Sequence, residues 1–559
     1  TTITADNSTS GNVDIDNAAT ADVTLTSLTT TGAGSDLLFD STGNFALNIT
    51  GAVTSSDDIT ITNTGNLNTD TITIGAAVSS STAGTITISS LTRGDIAVNN
   101  TITTADGGTI TLNSSDAITV GAFAVNSGAA GTMNLNVDTN NNVAAILDLG
   151  GGTLTAFNIN LDGGANTATV ERDTLIGQNQ ANTWTLAVGD DDGTLANASL
   201  SSTANFTDFH NLTGNANSDL FDFDGGSLSG NVDGQAGINT LDYASLAGPI
   251  SVTFNAAGAT GFNGAIASTS QIGGTTSDIT ALTGSAAAGS GAGGDTLTGI
   301  NATGVWNVQA GNDTYVSTNT LTFSGVENLT GGTGGDTFLV TESHTGNLST
   351  GNGTNKIELD STTGAILTGN ITGGTGADSI FFGNDDGTDD NNNNFTMTGD
   401  IDGGAGTDTL DFLDSSLVLT VNNVNTSIPD IDGIEGTITG APNLLNEFNN
   451  INTLVGNSLG SIVGPNVETW WNVTDVDQGT FGTSFATIAT NNFSNFSIAG
   501  GTAKDVFIFE YAPGGAPSPE VGQVTGGVDG GTGGNNILVG STGGDIFTIT
   551  NINNVTVDI

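Results

Sequence analysis

The chain has no cysteine, which excludes both a disulfide framework and a thiolate metal site. It has only four basic residues, Arg93, Arg172, Lys356 and Lys504, against 57 acidic ones, for a formal charge of -53. A field of that sign repels phosphate backbones and anionic membranes, so neither nucleic acid nor membrane is an expected partner. Two histidines are present, His210 and His344; neither stands in a zinc-binding spacing or beside a nucleophile motif, and both are expected at turns or on the surface. Carboxylate-only catalysis is the one enzymatic arrangement the composition permits. A lyase acting on acidic polysaccharide would want more Lys and Arg than this, and the chain reads as a non-enzyme. No apolar run reaches transmembrane length, so membrane insertion is not expected.

What is abundant is glycine, with 83 residues, and an apolar fraction of 36% arranged as Ile, Val, Leu, Thr and Phe in short alternating runs. That pattern predicts ordered β structure rather than disorder. From 1 to 165 the runs form a ladder, as in Ile59-Thr60-Ile61-Thr62, Ile72-Thr73-Ile74, Ile86-Thr87-Ile88, Ile96-Ala97-Val98 and Ile110-Thr111-Leu112. Gly, Asn, Asp and Ser turns separate them, with no helix-period segment between. The fold expected is all-β, a right-handed parallel β-helix or solenoid; tandem β domains are the competing architecture. At about 22 residues per coil and about 4.8 Å rise, the chain would make a rod on the order of 120 Å long.

A longer repeat begins after 165. Thr174-Leu175-Ile176-Gly177, running to Trp184, aligns without a gap to Thr296-Leu297-Thr298-Gly299, running to Trp306. A third copy, Thr453-Leu454-Val455-Gly456 to Trp470, aligns with an insertion. Downstream of each Trp come blocks opening at Phe206, Phe323 and Phe493, then Val232-Asp233-Gly234, Ile401-Asp402-Gly403 and Val528-Asp529-Gly530. The segments are therefore 1–165, a Thr/Ile-rich solenoid, and three repeat units, 166–291, 292–444 and 445–559. Both ends of the sequence read as repeat-like strand, and unprotected solenoid ends imply flanking sequence or end-to-end stacking into a filament.

Eleven stretches follow Gly-Gly-x-Gly-x-Asp-x-apolar or a near variant. The cleanest are Gly331 to Phe338, Gly373 to Ile380 and Gly403 to Leu410. Glycines allow left-handed backbone or close approach, the Asp supplies a carboxylate, and the apolar residue opens an inward-facing strand. Such a turn is able to hold a hard cation. Asp295, Asp313, Asp336, Asn355 and Asp378 follow one another at 18, 23, 19 and 23 residues, about one β-helix coil, which predicts one shared corner on successive coils.

These Gly-rich turns resemble the calcium-binding repeats of RTX proteins. The block Val326-Glu327-Asn328-Leu329-Thr330-Gly331-Gly332, with the Thr/Ile ladder before it, resembles filamentous-haemagglutinin-like giant bacterial adhesins. The first resemblance implies Ca2+ bound by Asp219, Asp295, Asp313, Asp336, Asp378, Asp408, Asp505 and Asp545, at the weak affinities of extracellular modules. Asn239, Asn355 and Asn535 replace the Asp in their copies, and Ala503 replaces a Gly, which weakens those copies as calcium sites. The plainer reading of each Asp is a turn-capping carboxylate that binds nothing. Acidic loops at Asp190-Asp191-Asp192 and 385–391 read as solvated insertions. Trp184, Trp306 and Trp470 are expected to pack between coils, with sugar stacking as the alternative. Together the two resemblances imply an extracellular or cell-surface structural and adhesive solenoid stabilised by calcium. Its partners would be calcium ions, further copies end to end, and a cell-surface or glycan receptor. The alternatives are the calcium-binding repeat region of a secreted enzyme or toxin, and a carbohydrate-binding module.

Overall fold

Alternating apolar and small polar residues put one face of a strand inward and the other outward. The computed structural model describes the chain outside residues 68, 141–143, 166–171, 188, 268–270, 287–292, 385–392, 416–419, 426–432, 440–446, 483–490, 510–522, 526, 533–534, 541–554 and 559. Among the described residues there is no α-helix; the structure is all-β, with long parallel sheets. The chain divides into two units, Thr1–Ala286 and Ala287–Ile559.

In the first unit the ladder forms three strand stacks. One contains Ile59–Asn63, Thr85–Ser90, Thr109–Ser114, Thr132–Asn136 and Asn158–Asp162, paired parallel and in register. Its inward columns are Ile59, Ile86, Ile110, Met133, Ile159 and Ile61, Ile88, Leu112, Leu135, Leu161, all buried. The steps between Ile59, Ile86, Ile110, Met133 and Ile159 are 27, 24, 23 and 26 residues, slightly longer than the coil expected. Between visits the chain passes through a second stack, including Ile72–Ile74, Ile96–Val98 and Ala117–Val120, and a third, including Val78–Ser80, Ile102–Thr103 and Ala124–Asn126. Outward amides link neighbouring strands: Asn160 Nδ2 donates to Asn134 Oδ1 at 2.9 Å, and Asn136 Nδ2 to Asn113 Oδ1 at 2.8 Å.

The second unit repeats the plan. Trp306, Phe338, Ile357, Ile380, Leu410 and Leu454 form one inward column, and Leu297, Leu329, Leu348, Ile371 and Ile401 another. Stacking like on like removes each column from water while parallel ladders satisfy the backbone.

Antiparallel excursions interrupt the parallel pattern, a feature outside the sequence reading. Thr183–Leu186, Gly193–Ala196 and Ala204–Thr207 form a three-strand meander. The same happens at Val305–Val308, Asp313–Val316 and Thr320–Ser324, and at Thr469–Asp475, Gln478–Gly482 and Asn491–Ser494.

Candidate functional site

The Gly/Asp turns are the feature the sequence singles out. Asp336 and Asp378 each immediately precede a strand of the stack that contains Phe338 and Ile380. In each turn the second glycine closes the loop on the carboxylate: the Gly332 N–H donates to Asp336 Oδ2 at 2.9 Å, and the Gly374 N–H to Asp378 Oδ2 at 3.2 Å. The glycines have a steric cause. A Cβ on Gly374 would lie 1.7 Å from the Gly351 carbonyl oxygen of the neighbouring coil, and Gly376 has φ +140°.

The aligned Asp and Asn side chains form a ladder between coils. The Asp336 N–H donates to Asn355 Oδ1 at 2.8 Å, the Asn355 N–H to Asp378 Oδ1 at 2.9 Å, the Asp378 N–H to Asp408 Oδ1 at 2.8 Å, and the Asp408 N–H to Asn452 Oδ1 at 2.7 Å. Asp505 donates in the same way to Asn536 at 2.8 Å. In the first unit Asn182, Asp219, Asn239 and Thr280 make the same run, at 2.9, 3.1 and 2.8 Å. Asp219, Asp336, Asp378, Asp408 and Asp505 are all buried.

Two of the expected candidates stand elsewhere. Asp295 is buried ahead of Thr296–Thr298, in the other stack, and its N–H donates to Glu327 Oε2 at 2.8 Å. Asp313 opens the middle strand of a meander and accepts the Gln309 N–H at 3.1 Å. The single corner expected for 295, 313, 336, 355 and 378 therefore holds only the last three. Asp545 and the acidic segment 385–391 lie outside the described residues. Asn535, read as the Asp replacement in its copy, has φ +61°, and its neighbour Asn536 takes the ladder position. The sequence reading missed Asn182, Asn452 and Thr280 as ladder members. Asn452-Thr453-Leu454 matches Asp408-Thr409-Leu410, so the triplet was a usable signal.

Trp184, Trp306 and Trp471 are core, whereas Trp470 is only half-buried. Trp184 and Trp306 are 0% exposed, so a sugar-stacking role is closed to them. In the third copy the equivalent residue is Trp471 rather than Trp470, because Ser461-Ile462-Val463-Gly464 to Trp471 aligns without any insertion. A Cβ on Gly177, Gly299 or Gly464 would meet the ring of Trp184, Trp306 or Trp471 at 2.8, 2.9 and 2.9 Å, which fixes the match. Each indole stacks on a Phe of the adjacent coil, Phe221, Phe338 or Phe507, with planes within 10°. Each also meets a Phe edge-on, Phe206, Phe323 or Phe493. All three indole N–H groups are buried without an acceptor.

Packing beside the Trp sets the electrostatics of the next rung. In the first unit Leu195 faces Trp184, leaving room for Asn182, which donates both its N–H and its Nδ2 to Asp219 Oδ1, at 2.9 and 2.7 Å. In the second unit Tyr315 faces Trp306 and its ring fills the space above Gly304, where a Cβ would lie 2.4 Å from it. Asp336 Oδ1 then faces Gly304, and burial, opposed by the Gly332 and Gly304 N–H groups, pushes its carboxyl up to about 6. In the third copy the position holds Thr469, whose hydroxyl donates to the Val467 carbonyl at 3.0 Å. Burial raises the Asp505 carboxyl too, to about 6, against the opposing hydrogen bonds of Gly501 and Thr469.

His344, expected at a turn or on the surface, is 8% exposed, with Nε2 2.7 Å from the Glu327 carbonyl oxygen; burial lowers its pKa. His210 lies 3.9 Å from both Asp173 and Asp191. Among the described residues no three of His, Cys, Asp and Glu are grouped to hold a metal. At Asp219, Asp336 and Asp378 the hydrogen-bond partners of the carboxylate are N–H groups, whereas calcium needs six to eight oxygens at about 2.3–2.6 Å. Those rungs therefore do not fit a calcium shell. The chain matches no family model, no curated protein and no solved structure.

Proposed function

We propose that each unit is a right-handed parallel β-helix and that the protein is a structural and adhesive component, secreted or held at a cell surface. The observation that carries this reading is the use of the motif residues themselves. The Asp, Asn and Gly of the repeated turns are spent on joining one coil to the next, and Trp184, Trp306 and Trp471 on filling the core. A stack so joined resists local opening, because each rung lost strands a buried polar group. The charge of -53 favours dispersal of such molecules in an aqueous exterior.

Purified protein immobilised on beads tests both halves of the reading. Slow proteolysis, with any cleavage outside the strand stacks, and retention of the beads under flow on cell or glycan surfaces are expected. Rapid cleavage within the stacks would remove the structural half. Failure to be retained on any surface would remove the adhesive half.

A further inference from the structure

The Asp and Asn rungs differ in what their own turns present to them. At Asp219, Asp336 and Asp378 the backbone N–H four residues earlier, from Asn215, Gly332 and Gly374, points at Oδ2. At Asn rungs a turn carbonyl points at Nδ2 instead. Asn182 donates to the Gln178 carbonyl at 2.9 Å, Asn355 to Gly353 at 3.1 Å, Asn239 to Gln235 at 3.5 Å, and Asn536 to the Gly530 carbonyl. The turn peptide is therefore oriented to suit the side chain it encloses, N–H toward a carboxylate and C=O toward an amide.

We propose that this turn-matched ladder forms without metal, so that the Gly-Gly-x-Gly-x-Asp turns of this chain, despite their calcium-site appearance, are coil-to-coil fasteners and not calcium ligands. Three observations converge. Asp378 Oδ1 accepts both the N–H and the Nδ2 of Asn355, and Oδ2 accepts Gly374, which gives the buried carboxylate three N–H donors in place of a cation. In the first unit Asp219, Asn239 and Thr280 occupy successive positions of one column, which a coordination shell built on carboxylate charge would not tolerate, whereas a ladder needs only an acceptor oxygen at each level. The glycines answer to contacts with the neighbouring coil, as Gly374 and Gly406 show, each with a Cβ position 1.7 Å from a carbonyl oxygen one coil away.

The inference is independent of where the protein works. Its test is the rise in melting temperature on adding calcium after chelation, compared between wild type and Asp378→Asn. The ladder expects the same calcium-induced rise in both, whatever the variant's starting value. A rise that shrinks or disappears in D378N would overturn it. Backbone amide exchange on the wild-type chain covers the case of a variant that does not fold. The N–H groups of Asn355, Asp378 and Asp408 should keep their protection in chelator, and a loss of protection restored by calcium would equally refute the proposal.

Discussion

Asp336 and Asp378 occupy neighbouring places in one ladder, yet conversion to Asn should move stability in opposite directions. At Asp378 both oxygens are engaged, so an amide must turn its NH2 toward either the Gly374 N–H or the Asn355 donors. One buried pairing is lost, at about 1–3 kcal/mol, and the relief from ionising this acid, which burial raises less than Asp336, offsets only part of it. At Asp336 the stronger donor is the Gly332 N–H on Oδ2 and the Gly304 N–H is the weaker one, so an amide keeps its oxygen on Gly332 and gives up only the weaker contact. Asp336→Asn also removes the cost of ionising this buried acid. The gap between 3.8 and about 6, at about 1.4 kcal/mol per pH unit, is about 3 kcal/mol at pH 7.5. D336N is therefore expected to gain about 1–3 kcal/mol at pH 7.5. The folded state holds this proton more tightly than the unfolded state, so lowering the pH through 6 toward 3.8 stabilises the wild type. Between pH 7 and pH 5 the Asp336 share of that gain is about 1 kcal/mol, and D336N should lose it. Urea unfolding of wild type, D336N and D378N at pH 5, 6 and 7.5 measures all of this. If D336N is destabilised as much as D378N, or if its pH dependence matches wild type, the account of Asp336 as a buried acid only weakly served at Gly304 is wrong.

Trp306→Ala should cost about 3–5 kcal/mol by opening a cavity between Tyr315, Phe323 and Phe338. Trp306→Phe should stay within about 1.5 kcal/mol, since it keeps an aromatic stack and removes an N–H that has no acceptor; equal losses in calorimetric unfolding of the two variants would count against the core role. Gly374→Ala places a Cβ 1.7 Å from the Gly351 carbonyl oxygen, so the coils must separate locally. Hydrogen exchange should then show loss of protection at Gly353 and Gly376, which donate across that corner. Unchanged exchange would show that the close approach is not needed.

Much of the architecture was legible in one dimension. Ile59-Thr60-Ile61-Thr62 and its successors could be nothing but one-sided strands, because alternation with small polar residues suits a sheet with one face buried. The repeated Gly-Gly-x-Gly-x-Asp marked close-packed corners for a reason local to the chain: the second glycine's N–H reaches the Asp carboxylate four residues on. The meanders were less legible, since the Gly311-Asn312-Asp313 turn of a hairpin carries the same residues as a coil corner.

What the sequence determined by itself, then, is local: strand spacing, the inward face of each strand, the corners and the order of repeated blocks, all set by interactions within a few residues. Tertiary structure decided which corner each residue joins. Asp295-Thr296-Leu297 and Asp408-Thr409-Leu410 are the same triplet, yet Leu297 pairs with Leu329 in one stack and Leu410 with Leu454 in another. Trp470 and Trp471 are adjacent, and only the latter finds Gly464 beneath it and Phe507 on the next coil. Stack membership rests on backbone hydrogen bonds to strands tens of residues distant. One oxygen of an aspartate takes its donor from its own turn; the donors that meet the other, as Asn182 meets Asp219 and Asn355 meets Asp378, come from the coil beside it, which no local pattern encodes.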